Sequence, residues 1–354
     1  MRSPARSLSN YRGLKHNLGP RVSLAMVLII TISTPAHAEW IGDTRAIMGT
    51  EVSVNLWHDD NAAGRELVAA VFAEAERIDR LMSTYIDTSR ISDVNRLAAS
   101  AAVVTGDELF QLIRRSLDIS VLTHGAFDIT YDSVGQYYDF GEHRRPDAET
   151  VEAERQHIDY RLVEMDQAAG TVRFREPGVR INLGGIAKGY FVERGVDILR
   201  SGGVENGIVT AGGDSKLLGD RRGRPWMIGI RDPRNDGQVA ISVPLEDEAI
   251  STSGDYERYF EEDGVRYHHI IEPNSGTPAT GVQSATVFGP DAVLTDALST
   301  SVFIMGVDRG LRLIGSLPDY ESIVIDAEGR IFYSGGLQQP EAQSFDPRPG
   351  DVEP

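Results

Sequence analysis

An anion-binding turn is predicted at residues 182–190, whose sequence is NLGGIAKGY. The turn lies between an apolar run at 179–183, which predicts a strand, and a run at 186–199, which predicts a helix. Glycine lacks a Cβ, so Gly184 and Gly185 would let a ligand approach the backbone closely. The helix start would add unpaired N–H groups and a positive dipole end, and Lys188 a mobile cation. A tight turn with a surface lysine explains this pattern equally well.

Asp296 and Thr300 are candidate metal ligands. They lie four residues apart in segment 295–305, which predicts a helix, so both side chains would lie on one face. A carboxylate and a hydroxyl are hard oxygen ligands. Together with a backbone carbonyl and substrate phosphate oxygens they would form a magnesium site. The alternative is that Asp296 only stabilises the helix dipole.

His268 and His269 are adjacent in a predicted strand at 266–271. Neighbours in a strand point to opposite faces, so only one of the two can face a site. A histidine can move a proton or bind phosphate near neutral pH. One exposed histidine and one core histidine is an alternative that the pattern leaves open.

Two loops could contact a planar or phosphorylated ligand. Tyr85 follows a predicted helix at 61–82 and could stack on a ring. Segment 125–128, GAFD, could present backbone amides and a carboxylate to a nucleotide, or simply end the preceding helix. The chain contains no Gly-x-Gly-x-x-Gly turn, no P-loop and no serine hydrolase elbow.

The elements that would position these residues predict an α+β fold, with mixed or antiparallel sheets and flanking helices. A capping box at Thr105 and Glu108 predicts a helix that ends near His124. Helices and strands do not alternate strictly, which disfavours a doubly wound parallel sheet. Strands are predicted at 50–56, 208–210, 226–230, 239–245, 256–260, 266–271 and 284–288, with a closing hairpin at 322–326 and 330–333.

The ends of the chain differ in character from the single domain predicted at 39–337. Residues 1–38 carry basic residues, then an apolar run and a small-x-small motif, which predicts a cleaved signal peptide and a mature protein outside the cytoplasm. Residues 338–354 are polar and rich in proline, which predicts a disordered tail. The mature protein would have no stable membrane insertion and no lipid anchor.

Composition excludes several classes of site. The chain has no cysteine, so a disulfide framework, a thiol nucleophile and a zinc–thiolate site are excluded. Its net charge is −18, which makes nucleic acid and anionic membrane surfaces poor partners.

Taken together and in order, these segments resemble the ApbE family, the FAD:protein FMN transferases. The resemblance extends over about residues 47–305, and it depends on the order of the motifs, since each alone is weak. The matching segments are MGT at 48–50, LMSTY at 81–85, GAFD at 125–128, NLGGIAKG at 182–189, GGD at 212–214, IRDP at 230–233, TSGDYER at 252–258, HIIEP at 269–273 and DALST at 296–300.

The resemblance implies a magnesium-dependent periplasmic enzyme. Such an enzyme moves FMN from FAD onto a Ser or Thr hydroxyl of a partner flavoprotein and releases AMP. The acceptors in such systems are subunits of membrane redox complexes, for example sodium-pumping quinone oxidoreductases. Free FAD would be its substrate and Mg²⁺ its cofactor.

The resemblance also implies roles for single residues. Mg²⁺ would be held by Asp296, Thr300 and the backbone carbonyl of Gly185. His269 would lie near the reacting phosphate, and Lys188 would neutralise charge there. The base for the acceptor hydroxyl could be His269 or a carboxylate. FAD would contact Met48, Tyr85, Ala126, Phe127, Asp128, Asn182, Lys188 and Ile271.

The chain departs from the family pattern at a few positions. Many relatives have aspartate where Asn182 stands, and some have aspartate at position 299, where this chain has serine. The second change would weaken or remove a second metal ion. Two other functions remain as alternatives: an FAD pyrophosphatase, in which water replaces the acceptor hydroxyl, and a periplasmic FAD-binding protein without catalytic activity.

Overall fold

Strands with alternating apolar residues and four long amphipathic helices dominate the described part of the chain. The computed structural model describes residues 38–337. The predicted disordered tail and all but the last residue of the predicted signal peptide lie outside this range. Helices α1 to α7 span Asn61–Met82, Arg90–Leu97, Asp107–Leu122, Asp132–Gly135, Ala148–Glu154, Ala187–Ser201 and Ala292–Ile314. Strands β1 to β17 span Glu39–Ile47, Thr50–His58, Val103–Val104, Val163–Asp166, Thr171–Phe174, Gly207–Ala211, Asp214–Leu218, Trp226–Arg231, Val239–Leu245, Ala249–Gly254, Tyr259–Glu262, Val265–His268, Ile271–Glu272, Thr277–Pro278, Val282–Gly289, Glu321–Asp326 and Ile331–Tyr333.

An eight-stranded sheet is the centre of the fold, with strand order β1-β2-β6-β7-β10-β15-β16-β17. Every strand pair within residues 38–337 is antiparallel. Helices α1, α6 and α7 pack on one face of this sheet and on one another. The prediction of an α+β domain with antiparallel sheets and flanking helices is confirmed.

The other face of the sheet is covered by the two-stranded β8–β9 hairpin. Trp226 and Ile230 of β8 and Leu245 of β9 are buried there. They pack against buried side chains of the central sheet, which are Leu217, Ile250, Phe288 and Ile323. Burial of apolar surface on both faces explains how a fold without cysteine is stabilised.

The predicted strand at 179–183 is wrong, because this extended segment pairs with a side chain instead of a neighbouring strand. Ile181 donates its N–H to Asn95 Oδ1 at 2.8 Å, and Asn95 Nδ2 donates to the carbonyl of Ile181 at 2.9 Å. The backbone groups of a buried segment need partners. Here an amide side chain from α2 supplies them.

The predicted capping box at Thr105 and Glu108 is also wrong. The N-cap of α3 is Gly106, and it has no side-chain cap. Glu108 instead accepts two hydrogen bonds from Arg77, at 2.6 and 2.7 Å, and one from Tyr190. The charge-assisted bidentate pair is stronger than a single bond to a helix N–H, so the carboxylate turns away from the cap.

At other helices and strands the predicted and observed ends differ by smaller amounts. The helix predicted at 295–305 lies within the longer α7, which extends beyond it at both ends. Helix α7 changes direction at Gly306, where φ is 77°. The strand predicted at 266–271 stops after His268 and resumes at Ile271. The strand predicted at 256–260 begins only at Tyr259. In the central sheet, strands β1, β7 and β10 were not predicted, and β7 and β10 lie at its centre. None of the strands of the small β3-β5-β4 sheet was predicted either. Within residues 38–337 no helix has the length and apolar character that crossing a bilayer requires.

Candidate active site

Two tight hairpins close one end of the central sheet. Met48 and Gly49 connect β1 to β2 with φ values of 57° and 68°, so both residues of this two-residue turn are left-handed. Gly212 and Gly213 connect β6 to β7, and there only Gly212 is left-handed, with a φ of 59°. A Cβ on Gly212 would lie 2.6 Å from Thr50 Oγ1, so only glycine lets the two hairpin tips meet.

Close packing of α6 against α7 forms the wall above these tips. A Cβ on Gly189 would lie 2.2 Å from the carbonyl oxygen of Ala292 and 2.7 Å from Asp296 Cβ. This approach lets the Gly189 N–H donate to Asp296 Oδ2 at 2.8 Å. The first turn of α6 has no side-chain cap of its own. The buried Asp296 carboxylate on α7 therefore caps α6 from outside that helix.

Three buried charges lie at this contact. Lys188 Nζ forms an ion pair with Asp214 Oδ2, and it lies 4.0 Å from Asp296 Oδ1. Burial alone would lower the pKa of Lys188, but the two carboxylates outweigh it and raise that pKa above its ordinary value. Burial, and then the charge of Asp214, raises the pKa of Asp296. With both carboxylates ionised the cluster carries one net negative charge.

The predicted metal ligands lie together beside this cluster. A Cβ on Gly185 would lie 3.6 Å from Thr300 Oγ1, so the glycine backbone directly faces the threonine hydroxyl. Thr300 Oγ1 lies 3.1 Å from Ser253 Oγ on β10, which holds the hydroxyl in place. Within residues 38–337 no three His, Cys, Asp or Glu side chains group as a metal site. A metal here would therefore need hydroxyl, carbonyl and substrate oxygens besides Asp296. These hard donors and the net negative charge fit Mg²⁺.

The adjacent histidines have different surroundings. His268 ends β12 in the core, where its Nε2 lies 2.9 Å from the carbonyl of Ala279 and its ring packs edge-on against Phe303. His269 lies just after the strand and lines the cavity. Its backbone N–H donates to the carbonyl of Arg258 at 3.1 Å. Among the described residues its buried Nδ1 has no hydrogen-bond partner. Burial, and then the charge of Arg258, lowers the pKa of His269 to about 3.

Segment 125–128 follows the end of α3, and the backbone N–H groups of Ala126 and Phe127 already have hydrogen-bond partners within the protein. The N–H groups of Ala126 and Phe127 donate to the carbonyl and hydroxyl of Thr123, at 3.2 and 3.0 Å. Asp128 accepts hydrogen bonds from the N–H of Thr130 and of Tyr160, at 2.9 and 2.8 Å. Burial raises the pKa of Asp128 to about 6. The segment faces the cavity without free backbone donors at Ala126 and Phe127 or a free carboxylate at Asp128.

The side chain of Asn182 makes three hydrogen bonds. It donates to Thr84 Oγ1 and to Asp132 Oδ1, each at 3.1 Å, and it accepts from the N–H of Gly184 at 2.8 Å. Asp132 is buried and bonds Arg180 at 2.5 Å. An aspartate at position 182 would place a second carboxylate beside Asp132, so an amide suits this position in this chain.

All the residues predicted from the sequence for FAD, metal or catalysis line one cavity of about 310 Å³. Tyr85 lies at its mouth and is 83% exposed. The structure brings these residues together, and their individual roles remain predictions. They are Met48, Tyr85, Ala126, Phe127, Asp128, Asn182, Gly185, Lys188, His269, Ile271, Asp296 and Thr300.

Asp214 and Arg258 are charged residues of the site that were given no role from the sequence. Asp214 forms the ion pair with Lys188, and among the described residues its Oδ1 has no hydrogen-bond partner. Arg258 lines the cavity from the loop between β10 and β11. Both lie in segments that carry the resemblance, at 212–214 and 252–258. Their place in these two segments was the only signal for both residues, and Asp214 in addition directly follows the glycine pair at 212–213.

Comparison with known proteins gives the same family throughout. The model of the ApbE family matches residues 48–324. A FAD:protein FMN transferase of Treponema pallidum is 32% identical over 312 residues, which cover 82% of this chain and 86% of that protein. Another FAD:protein FMN transferase, from Klebsiella pneumoniae, is 31% identical, and the match covers 85% of this chain and 92% of that protein.

Solved structures have the same fold. The crystal structure of the ApbE protein from Thermotoga maritima matches with a TM-score of 0.79 at 34% identity, over 84% of this chain and 98% of that one. The flavin transferase ApbE from Vibrio cholerae matches with a TM-score of 0.74 at 30% identity, with the same coverage.

Proposed function

The chain belongs to the ApbE family and is an FAD:protein FMN transferase, and from that premise we propose that it works with Mg²⁺ in the periplasm on a membrane redox complex. The acceptor is a Ser or Thr hydroxyl of a flavoprotein subunit of that complex. The observation that carries the proposal is the meeting of Gly185, Asp296 and Thr300 beside the paired Lys188. The site offers oxygen donors and negative charge where a diphosphate must be bound.

The carbonyl of Gly185, Asp296 and Thr300 Oγ1 hold the metal ion in this proposal. Asp296 Oδ2 already accepts a hydrogen bond from the N–H of Gly189, so Oδ1 is the carboxylate oxygen left to bind the metal ion. When bound, Mg²⁺ supplies positive charge that offsets the charge of the diphosphate oxygens. Lys188 lies 4.0 Å from Asp296 Oδ1, and its charge opposes the rise in the Asp296 pKa that burial and Asp214 cause, so it favours the ionised carboxylate that a metal needs.

The reaction transfers a phosphoryl group. The acceptor hydroxyl oxygen forms a bond to the FMN phosphorus of FAD, and the bridging P–O bond to AMP breaks. The hydroxyl proton passes to a base, and AMP leaves with the bridging oxygen. His269 Nδ1 is a candidate acceptor for this proton, because it is buried and has no hydrogen-bond partner among the described residues.

Substrate binding would raise the basicity of His269. In the free protein its pKa is lowered to about 3 by burial and by the positive charge of Arg258, with smaller contributions from His268 and Lys188. A diphosphate beside these cations would offset their charge, so the pKa of His269 would rise when FAD is bound. The base would then be most effective when the substrate is in place.

Apolar and aromatic side chains would orient the flavin. Tyr85 offers an exposed ring at the cavity mouth, and Phe127 and Ile271 are buried in its wall. Rings of this kind stack on planar ligands, while a few polar groups fix the orientation. The proposed location depends on the signal-peptide pattern at residues 1–38, and the proposed acceptor depends on the family resemblance alone.

The test is the intact mass of an acceptor protein after incubation with the enzyme, FAD and Mg²⁺. The acceptor is a redox-complex subunit with a flavinylation motif, and its Ser/Thr→Ala variant is the control. We expect a mass increase of one phosphate-linked FMN, equimolar AMP, and no adduct with EDTA or with the control acceptor.

Two matched variants of α7 sharpen this test. Asp296→Asn should lower the transfer rate by about 100-fold or more, because it removes the carboxylate charge from the metal site. Asp308→Asn changes an exposed aspartate of the same helix and should leave the rate unchanged. AMP and free FMN without an adduct would instead indicate the pyrophosphatase. Bound FAD without any product would indicate a flavin-binding protein.

A further inference from the structure

The cavity contains two cations, and one of them is already paired. Lys188 lies between Asp214 and Asp296, so two carboxylates face a single ammonium group. Its charge is more than neutralised before any substrate binds. A diphosphate in the cavity would therefore meet a lysine whose field is cancelled at short range.

Arg258 is the second cation, and its charge is available. It lies in the exposed loop between β10 and β11 and lines the cavity. A Cβ on Gly49 would lie 3.5 Å from Arg258 Nη2, so the guanidinium reaches across the cavity to the tip of the β1–β2 hairpin. Within residues 38–337 its guanidinium makes no ion pair or hydrogen bond.

The loop that carries Arg258 is held firmly. Asp255 is buried and accepts two hydrogen bonds from Arg234, at 2.7 and 2.8 Å. Arg266 approaches the same carboxylate at 3.4 Å. The carbonyl of Arg258 itself accepts the N–H of His269. The backbone at position 258 is thus anchored on both sides.

The nearest acidic side chain in sequence has another partner. Glu257 lines the cavity too, but its carboxylate lies 3.4 Å from Arg231 at the end of β8. Because Glu257 pairs with Arg231, it does not pair with the neighbouring guanidinium of Arg258. A planar guanidinium suits two phosphate oxygens better than an ammonium does, since it can donate two parallel hydrogen bonds.

We propose that Arg258 binds the diphosphate of FAD, and that Lys188 acts on Asp296 and not directly on the substrate. This inference deepens the proposed function and rests on it for the identity of the substrate. It assigns the phosphate-binding cation to a loop residue and makes the buried lysine a positioning residue for the predicted metal ligand.

The test compares FAD with riboflavin, which lacks both the diphosphate and the adenosine. Affinities for FAD and for riboflavin are measured by flavin fluorescence, with EDTA and with Mg²⁺, for the full chain and its variants. Arg258→Gln should weaken FAD binding by on the order of tenfold or more in EDTA and leave riboflavin binding unchanged. Arg258→Lys should recover part of the loss. Arg90→Gln, which changes an exposed arginine of α2, is the matched control.

The variant Lys188→Gln distinguishes the role of Lys188 from that of Arg258. We expect its FAD affinity in EDTA to stay within about threefold of the wild type, while the gain in affinity caused by Mg²⁺ is lost. An equal loss of FAD and riboflavin binding in Arg258→Gln would show a structural role, and unchanged FAD binding would remove Arg258 from the site. A loss of FAD affinity in Lys188→Gln without metal would make lysine the phosphate ligand.

These binding measurements need no acceptor protein. The acceptor could gain no FMN while Arg258→Gln still weakens the binding of FAD and not that of riboflavin. In that case only the proposed transfer fails. If flavinylation occurs and Arg258→Gln binds FAD normally, only this inference fails.

Discussion

At the scale of single residues, a substitution of Tyr85 should change ligand binding without changing stability. Its side chain is 83% exposed, so it adds little to folding. Tyr85→Ala should leave the free energy of unfolding within about 0.5 kcal/mol of the wild type. It should weaken FAD binding by about 3- to 10-fold, through the loss of a ring stack. Thermal unfolding and flavin fluorescence would measure the two effects. Tyr137→Ala, an exposed tyrosine that does not line the cavity, is the control.

His269 should make stability depend on pH. Its pKa is about 3 in the folded protein, whereas an unfolded histidine titrates near its ordinary value of about 6.5. As pH falls below that value the unfolded chain takes up a proton that the folded chain does not, so the folded state loses stability. His269→Asn should remove this loss, which we expect to reach about 1–2 kcal/mol at pH 5.

The measurement is the difference in unfolding free energy between the wild type and His269→Asn from pH 7.5 to pH 5. Asp128 acts in the opposite sense, because its raised pKa lets the folded protein take up a proton near pH 6 and gain stability as pH falls. The difference between variants cancels this contribution. His124→Asn, at an exposed position with positive φ, is the control. A difference that does not change with pH would rule out the proposed shift of the His269 pKa.

Spacing could predict one part of the site and not the rest. Asp296 and Thr300 lie on the same helix, so a period of 3.6 residues is enough to place them together. Asp214 comes to Lys188 only through the β6–β7 hairpin, and Arg258 reaches the cavity only because β10 joins the same sheet. Contacts of this kind depend on the order of the strands, which local patterns do not contain.

At the scale of elements, the contact between α6 and α7 is the most sensitive part of the site. Gly189→Ala would push a methyl group into the backbone of Ala292, which cannot rotate away. We expect a loss of about 1–3 kcal/mol in the free energy of unfolding. The helices would also separate at Asp296, so stabilisation of the protein by Mg²⁺ with FAD should be lost.

Chemical denaturation with and without these ligands would measure both effects. Gly335→Ala is the matched control, because a Cβ there meets no heavy atom within 4 Å and φ is not positive. Wild-type stability in Gly189→Ala would mean that the two helices do not pack as closely as described.

Elements with a strong local period were predicted well, and elements held by distant side chains were not. The helix predicted at 61–82 has the same bounds as α1, because its apolar face repeats without interruption. The segment at 179–183 has a strand-like composition, yet Asn95 from a distant helix satisfies its backbone. The capping box failed for the same reason, since Arg77 lies 31 residues from Glu108.

At the scale of the whole molecule, the cavity walls come from both ends of the described chain. The β1–β2 hairpin supplies Met48, and α7 supplies Asp296 and Thr300. The order of the short motifs predicted the family without any of this geometry, and all the matching segments except the one at 230–233 contribute residues to the lining of the cavity.

Since distant segments meet at one cavity, FAD binding should stabilise the whole domain and not a part of it. A ligand at 100 times its Kd adds about 2.7 kcal/mol to the free energy of unfolding, which for a domain of this size raises Tm by about 4 °C. We expect calorimetry to show a single transition that moves as a whole with FAD, and further with FAD and Mg²⁺ together. Riboflavin, which lacks the diphosphate, should produce a smaller shift. Two transitions, of which FAD moves only one, would mean that the two ends of the chain unfold independently and that the cavity does not join them.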